Sequence, residues 1–289
     1  MNTLRLAPVL LALASLASCN SETTTNKEVN STTVMGDSAT AATGMQPAGA
    51  LSFVEVPASP DFPNASLAIG SVTSAASGTD SAKVKFSFNV SGYELKGQTA
   101  DASTKGCNNS AQGQHIHFIL DNAPYVALYE PKHEATVAKS SEHYAMCFLS
   151  RSYHESVKAP KAGVLVHFKV DDKGVMQLLG NPSVPMLFYS RPKGDYKGAD
   201  TAKVLLDFYV WNGTLGNDLK VMADVENTTT GTKGSQTFTS WKPMFVEGLG
   251  TGVAKVKLRL VDGSGNTVAG PQSEVTRENI RLAAAEPMP

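Results

Sequence analysis

The residues in this chain best suited to chemistry are its six histidines, all of which fall between positions 115 and 167. His115 and His117 stand two apart in Gly113-Gln114-His115-Ile116-His117-Phe118. On an extended strand that spacing puts both imidazoles on one face. Imidazole nitrogens so placed are ligands for Zn2+ or Cu, with His154 or Cys147 to complete the set. The competing reading makes them polar positions on a solvated face, with His154 pinning a loop by hydrogen bonds. A second chemistry is ligand recognition by Arg151, Tyr153 and His154 in Ser150-Arg151-Ser152-Tyr153-His154-Glu155. A guanidinium offers a fork for carboxylate or phosphate, and Arg191 is a further candidate.

Catalytic signatures are missing from the sequence. His133-Glu134 is followed by Val137, and His154-Glu155 by Lys158, where a helical zinc-protease motif needs a second histidine. No Gly-x-Ser-x-Gly elbow, phosphate-binding glycine loop or calcium loop is present. A binding protein is therefore expected rather than an enzyme, and a hydrolase with a dispersed triad ranks third.

Strands must position these residues. Val84, Phe86, Phe88 and Val90 alternate with Lys83, Lys85, Ser87 and Asn89. The same period of two runs through 115–120, 143–148 and 164–170, with turn chemistry at Asp121-Asn122-Ala123-Pro124 and Asp171-Asp172-Lys173-Gly174. The plan recurs later: Ala202-Lys203-Val204-Leu205-Leu206-Asp207-Phe208 echoes Ala82-Lys83-Val84-Lys85-Phe86-Ser87-Phe88. The expectation is an all-β chain with two tandem immunoglobulin-like β-sandwiches, 62–174 and 182–280, joined by a linker at 175–181 and followed by a tail at 281–289. Prolines in 182–192 suit a connector or an edge strand. In such a sandwich the strands at 115–120, 143–148 and 164–170 share a sheet, and parity puts His115, His117, His143, His167 and Cys147 on its outer face.

Residues 19–61 are rich in Ser, Thr, Asn, Ala and Gly in their first part and read as a flexible tether. Before them, Arg5 and the apolar run Leu6 to Leu16 are too short to span a bilayer and form a secretory signal, residues 1–18. The junction Leu16-Ala17-Ser18-Cys19 resembles the lipobox of bacterial lipoproteins. That resemblance implies cleavage before Cys19, lipidation of Cys19, and membrane attachment through the lipid. Asn20 in place of Asp favours the outer membrane. Cys107 and Cys147 are then left in an oxidising compartment, as one disulfide or as two separate buried thiols. A net charge of −1 gives no case for nucleic acid.

The stretches Gly113 to Asn122, Phe148 to Ser156 and Pro185 to Gly194 are similar to a group of uncharacterised bacterial lipoproteins, some named for phosphopeptide binding. The resemblance implies the fold and the envelope address and assigns no activity or site residue. The leading expectation is a lipid-anchored envelope protein that binds an unknown ligand or protein partner through the first domain. A Zn- or Cu-binding protein using the histidines is the alternative.

Overall fold

Strand-forming alternation runs through most of this chain, and the computed structural model describes residues 51–284, with their strands in four sheets and longer loops before β4 and between β7 and β8. In the first half these are β1 (Ser52–Glu55), β2 (Ser66–Ser77), β3 (Ser81–Ser91), β4 (His115–Leu120), β5 (Val126–Leu128), β6 (Lys132–Ala138), β7 (Ser141–Ser150), β8 (Gly163–Val170) and β9 (Met176–Leu178). The second half holds β10 (Met186–Arg191), β11 (Asp195–Lys197), β12 (Val204–Trp211), β13 (Leu219–Asn227), β14 (Lys233–Phe238), β15 (Met244–Glu247), β16 (Gly252–Asp262) and β17 (Glu274–Ala283). Among the described residues no helix is long and apolar enough to cross a membrane.

Sheets β2-β3-β6 and β5-β4-β7-β8-β9 enclose one core, in which Val84, Phe86, Ile116, Phe118, Cys147 and Phe168 meet. Sheets β1-β15-β12-β10 and β11-β17-β16-β13-β14 enclose another, built on Leu187, Tyr189, Phe208, Val256 and Leu258. The fold is all-β, as expected from the alternation.

A third core lies between the halves. Ile119, Met146, Phe148 and Leu165 of the β4-β7-β8 sheet pack on Met186, Phe188 and Tyr209 of β10 and β12. Both middle sheets are thus buried on two faces, which is why β10 reads as an unbroken apolar run, Met186-Leu187-Phe188-Tyr189. β10 is also an edge strand, as its flanking prolines suggest. Its exposed edge is met by Asn122, whose amide donates to the Leu187 carbonyl (2.8 Å) and accepts from the Tyr189 N–H (2.9 Å).

Three boundaries move. Ser52–Glu55, placed in the tether by composition, pairs with β15 and belongs to the second half. β9 extends the first half past residue 174, and β17 runs into the stretch read as a tail. The signal, Cys19 and the tether as far as residue 50 lie outside the described residues, as do 285–289.

Candidate metal centre

Three elements bring the imidazoles together. His115 and His117 leave β4 on the face turned toward the second half, and both are fully buried. Just before them, Gly113 has φ +81°, and a Cβ there would stand 2.2 Å from the Lys96 carbonyl, so only glycine fits. His154 comes from the loop between β7 and β8. That loop is held by the Arg151 N–H on the Glu155 carbonyl, the His154 N–H on the Arg151 carbonyl, and a buried Arg151–Glu155 ion pair at 3.1 Å. Asp207 of β12, itself buried, accepts from the Ser156 N–H and hydroxyl and pairs with Lys158. The loop is therefore clamped to both halves, with His154 at φ +70° and turned inward.

The ring nitrogens converge. His117 Nε2 is 3.0 Å from His115 Nε2, and His154 Nδ1 is 3.1 Å from the same atom. One ligand atom from each residue lies within 4.8 Å of the others. His115 Nδ1 faces the Gly113 carbonyl at 2.8 Å, and since a carbonyl only accepts, that nitrogen carries the proton and Nε2 presents a lone pair. His117 Nδ1 is 3.1 Å from Ser190 Oγ. If Nδ1 donates to Ser190, Nε2 of His117 is likewise a free lone pair, aimed at the same point. With His154 Nδ1 unprotonated as well, three lone pairs face one region, an arrangement that a cation stabilises.

Burial sets the protonation. It lowers His115 from 6.5 to about 4, with Arg191 and Lys193 adding to the effect against the Gly113 hydrogen bond. His117 and His154 are pushed well below the ordinary imidazole value, first by burial and then by neighbouring histidines and Arg191. All three are neutral at pH 7, the form that coordinates a metal. Two nitrogens on a tetrahedral zinc stand roughly 3.3 Å apart, since Zn–N is about 2.0–2.1 Å. The two separations from His115 Nε2, 3.0 and 3.1 Å, are close to that value, and all three ligand atoms lie within 4.8 Å of one another. The cluster can coordinate a metal ion.

Around it lie Tyr125 and Lys193, which the sequence pattern does not single out, and Arg191, the further anion-binding candidate. Tyr125 stacks on the His117 ring (3.6 Å, 11°), and its hydroxyl is 3.2 Å from His154 Nδ1. Lys193 Nζ sits 4.2 Å from the Tyr125 ring centroid and donates to the Tyr125 carbonyl at 2.6 Å. Arg191 lies 5.5 Å from the same ring and donates to the Tyr196 hydroxyl at 3.0 Å. Tyr125 follows the turn at Asp121-Asn122-Ala123-Pro124, a local signal that the chain folds back over β4. Ser190 carries no such signal.

Other expected residues go elsewhere. Cys147 is opposite Phe118 in the β4–β7 register and shares its face, inside the first core and away from the histidines. It is not a ligand. The expected Cys107–Cys147 link is not formed either: both thiols are free, and Cys107 packs beside Val56, Leu205 and Phe245 in a different cluster. Burial pushes the Cys107 thiol up to about 11. His143 faces the side of Cys147 and bonds Asp121 at 2.6 Å. His167 keeps the parity of His117 but sits at the far end, 2.7 Å from Glu142. The face they were expected to share is not solvated; the second half covers it.

Both terminal nitrogens of Arg151 are engaged, one by Glu155 and the Ser156 carbonyl and the other by the Pro60 carbonyl, and its Nε is buried without a partner, which leaves no open fork for an outside anion. Tyr153 is buried beneath Lys105. A cleft of about 610 Å3 is lined by Arg151, Glu155, Lys158 and Trp241 but by none of the three histidines.

No family model and no curated protein matches this chain. Among solved structures, the selenomethionine-substituted chicken interferon gamma receptor alpha chain is similar over 76% of this chain and 99% of that one, with 8% identity and a TM-score of 0.24. A likeness that weak carries no argument about function.

Proposed function

We propose that this chain is a metal-binding protein of the bacterial cell envelope, holding one Zn2+ or Cu ion through His115, His117 and His154. The observation that carries the reading is the meeting of three buried, neutral imidazoles at one point. Ring nitrogens of His117 and His154 stand 3.0 and 3.1 Å from His115 Nε2, separations close to those of neighbouring ligand atoms on one small ion. The outer partners suit a metal site as well: the Gly113 carbonyl on His115 and the Ser190 hydroxyl on His117 fix ring orientation, as second partners of ligating histidines do. Because Ser190 belongs to β10, a bound ion would tie the two halves together across their shared core.

The envelope address rests on Leu16-Ala17-Ser18-Cys19, with Cys19 as the lipidated residue. Changing Cys19 to Ala should move the protein from the membrane fraction to the soluble one. The tandem immunoglobulin-like description of the two halves belongs to the same proposal and is supported by the pairing of sheets around two cores.

Calorimetric titration of the metal-free protein with Zn2+ and with Cu2+ tests the central claim. One ion per chain is expected. Heat no larger than the dilution control for both ions rejects it.

A further inference from the structure

We propose that the three-histidine centre selects a monovalent copper ion, Cu+, over divalent ions. The inference rests on the three-histidine reading and names the ion that the site holds most tightly.

Charge comes first. Three neutral imidazoles bring no negative charge to an ion, and among the described residues no carboxylate or thiol joins them. Cations stand nearby instead. Lys193 Nζ is 4.2 Å and the buried Arg191 guanidinium 5.5 Å from the centroid of the Tyr125 ring, which itself lies on His117. Arg191 donates to the Tyr196 hydroxyl and Lys193 to the Tyr125 carbonyl, and among the described residues neither meets a carboxylate. Both cations disfavour a positive charge on each of the three imidazoles. A metal ion held between those rings meets the same field. Repulsion by a fixed cation is proportional to the charge of the ion, so Zn2+ or Cu2+ loses twice as much to it as Cu+ does.

The surroundings and the ligand count point the same way. Aromatic rings wall the cluster: Tyr125 against His117 at 3.6 Å, Tyr129 at 5.1 Å from His115, and Phe148 at 5.2 Å from His117. Such walls screen charge far less than water does. Protein-bound Zn2+ takes four ligands, and with three histidines it needs a water or a substrate to complete the set. Cu+, which also has a filled d shell, is stable with three nitrogen donors alone. Binding forms three copper–nitrogen bonds and breaks no covalent bond. The copper arrives as Cu+, so no electron moves.

The test uses the metal-free full chain. Cu+, kept reduced with ascorbate under anaerobic conditions, is partitioned against bicinchoninate, and Zn2+ against a chromophoric zinc chelator. The chain should bind one ion of either kind and hold Cu+ at least about a hundredfold more tightly. Lys193→Gln removes one cation without touching a ligand atom. It should tighten both ions, and the gain for Zn2+ should be the square of the gain for Cu+, about tenfold against about threefold. Lys193→Arg keeps the charge and should preserve the ratio of the two affinities. Zn2+ bound as tightly as Cu+, or more tightly, overturns the selection and leaves the three-histidine site standing. Equal gains for the two ions in Lys193→Gln, or no gain, overturn it as well, because the cations then do not choose the ion. Absence of binding by either ion overturns both readings. The comparison of Cu+ with Zn2+ in the unaltered chain decides the matter even if Lys193→Gln does not fold.

Discussion

The sheet β5-β4-β7-β8-β9 carries histidines at both ends, and the two ends behave differently. At one end His143 and His167 each face a carboxylate, Asp121 at 2.6 Å and Glu142 at 2.7 Å. Their ring nitrogens are taken: His143 Nε2 also meets Ser141, and His167 Nδ1 the Gly180 carbonyl. At the other end His115, His117 and His154 face one another, with no acid among them. Residue type is the same and so is the supporting sheet. What differs is the partner. A histidine between a carboxylate and a second polar group has both nitrogens occupied, whereas imidazoles that face one another can also share a cation. Coverage follows the same division, because the second half seals the convergent end and leaves the Asp121 and Glu142 pairs partly open to water.

The comparison breaks most readily at His117. Changing His117 to Ala should remove measurable Zn2+ or Cu2+ binding in calorimetry, while His133→Ala and His167→Ala keep one ion per chain. Equal loss in all three would erase the distinction between the ends. The next largest effect is on stability. Between pH 6.5 and about 4 the unfolded chain binds a proton at His115 that the folded chain refuses. Stability of the metal-free protein therefore rises with pH across that window and is lost as pH falls through it. For His115 alone the full loss is about 3 kcal/mol, and His117 and His154 act with the same sign. Denaturant unfolding of metal-free protein at pH 7 and pH 4.5 measures it. A flat profile would mean that the cluster accepts protons without strain. Saturating metal should oppose the loss, adding about 4 kcal/mol at a thousandfold excess over Kd.

How much of this was legible follows from where the sheets are buried. β3 has a wet face, so Val84, Phe86 and Phe88 alternate cleanly with Lys83, Lys85 and Ser87, and its burial matches. In β4, Ile116 and Phe118 were rightly set against His115 and His117. β7 defeated the same rule. Tyr144-Ala145-Met146-Cys147-Phe148 is apolar on both faces, because one side meets the first core and the other meets β10 and β12. Parity without polarity cannot say which face is which, and Cys147 and His143 were assigned to the wrong one. The unbroken run Met186 to Tyr189 was the sign that a strand would be covered on both sides. The convergence of His154 on His115 depends on a loop clamped by Asp207, 51 residues away from Ser156. No local pattern encodes that contact.

A smaller effect sharpens the convergent end. Ser190→Ala removes the hydroxyl that orients His117 without touching a ligand atom. Outer partners of this kind cost about 10–100-fold in metal affinity when removed. Ser190→Ala should therefore weaken binding by that amount at unchanged stoichiometry, and an affinity equal to that of the unaltered chain would place His117 outside the coordination set.

The smallest effect belongs to the other end. His167 pairs with Glu142, whose side chain is 53% exposed, and stacks on Tyr144 with centroids 4.4 Å apart. An ion pair open to solvent on one side contributes about 0–1 kcal/mol. His167→Gln preserves a polar group able to reach the same neighbours, so it should lower stability by less than about 1 kcal/mol. Metal affinity should not change at all, because Leu165 and Met146 fill the space between this position and the convergent imidazoles. Chemical denaturation and metal titration of the same variant read both quantities. A loss of metal binding in His167→Gln would show that the two ends are coupled through the shared core, and would replace the contrast drawn from their partners with a single site spread along the sheet.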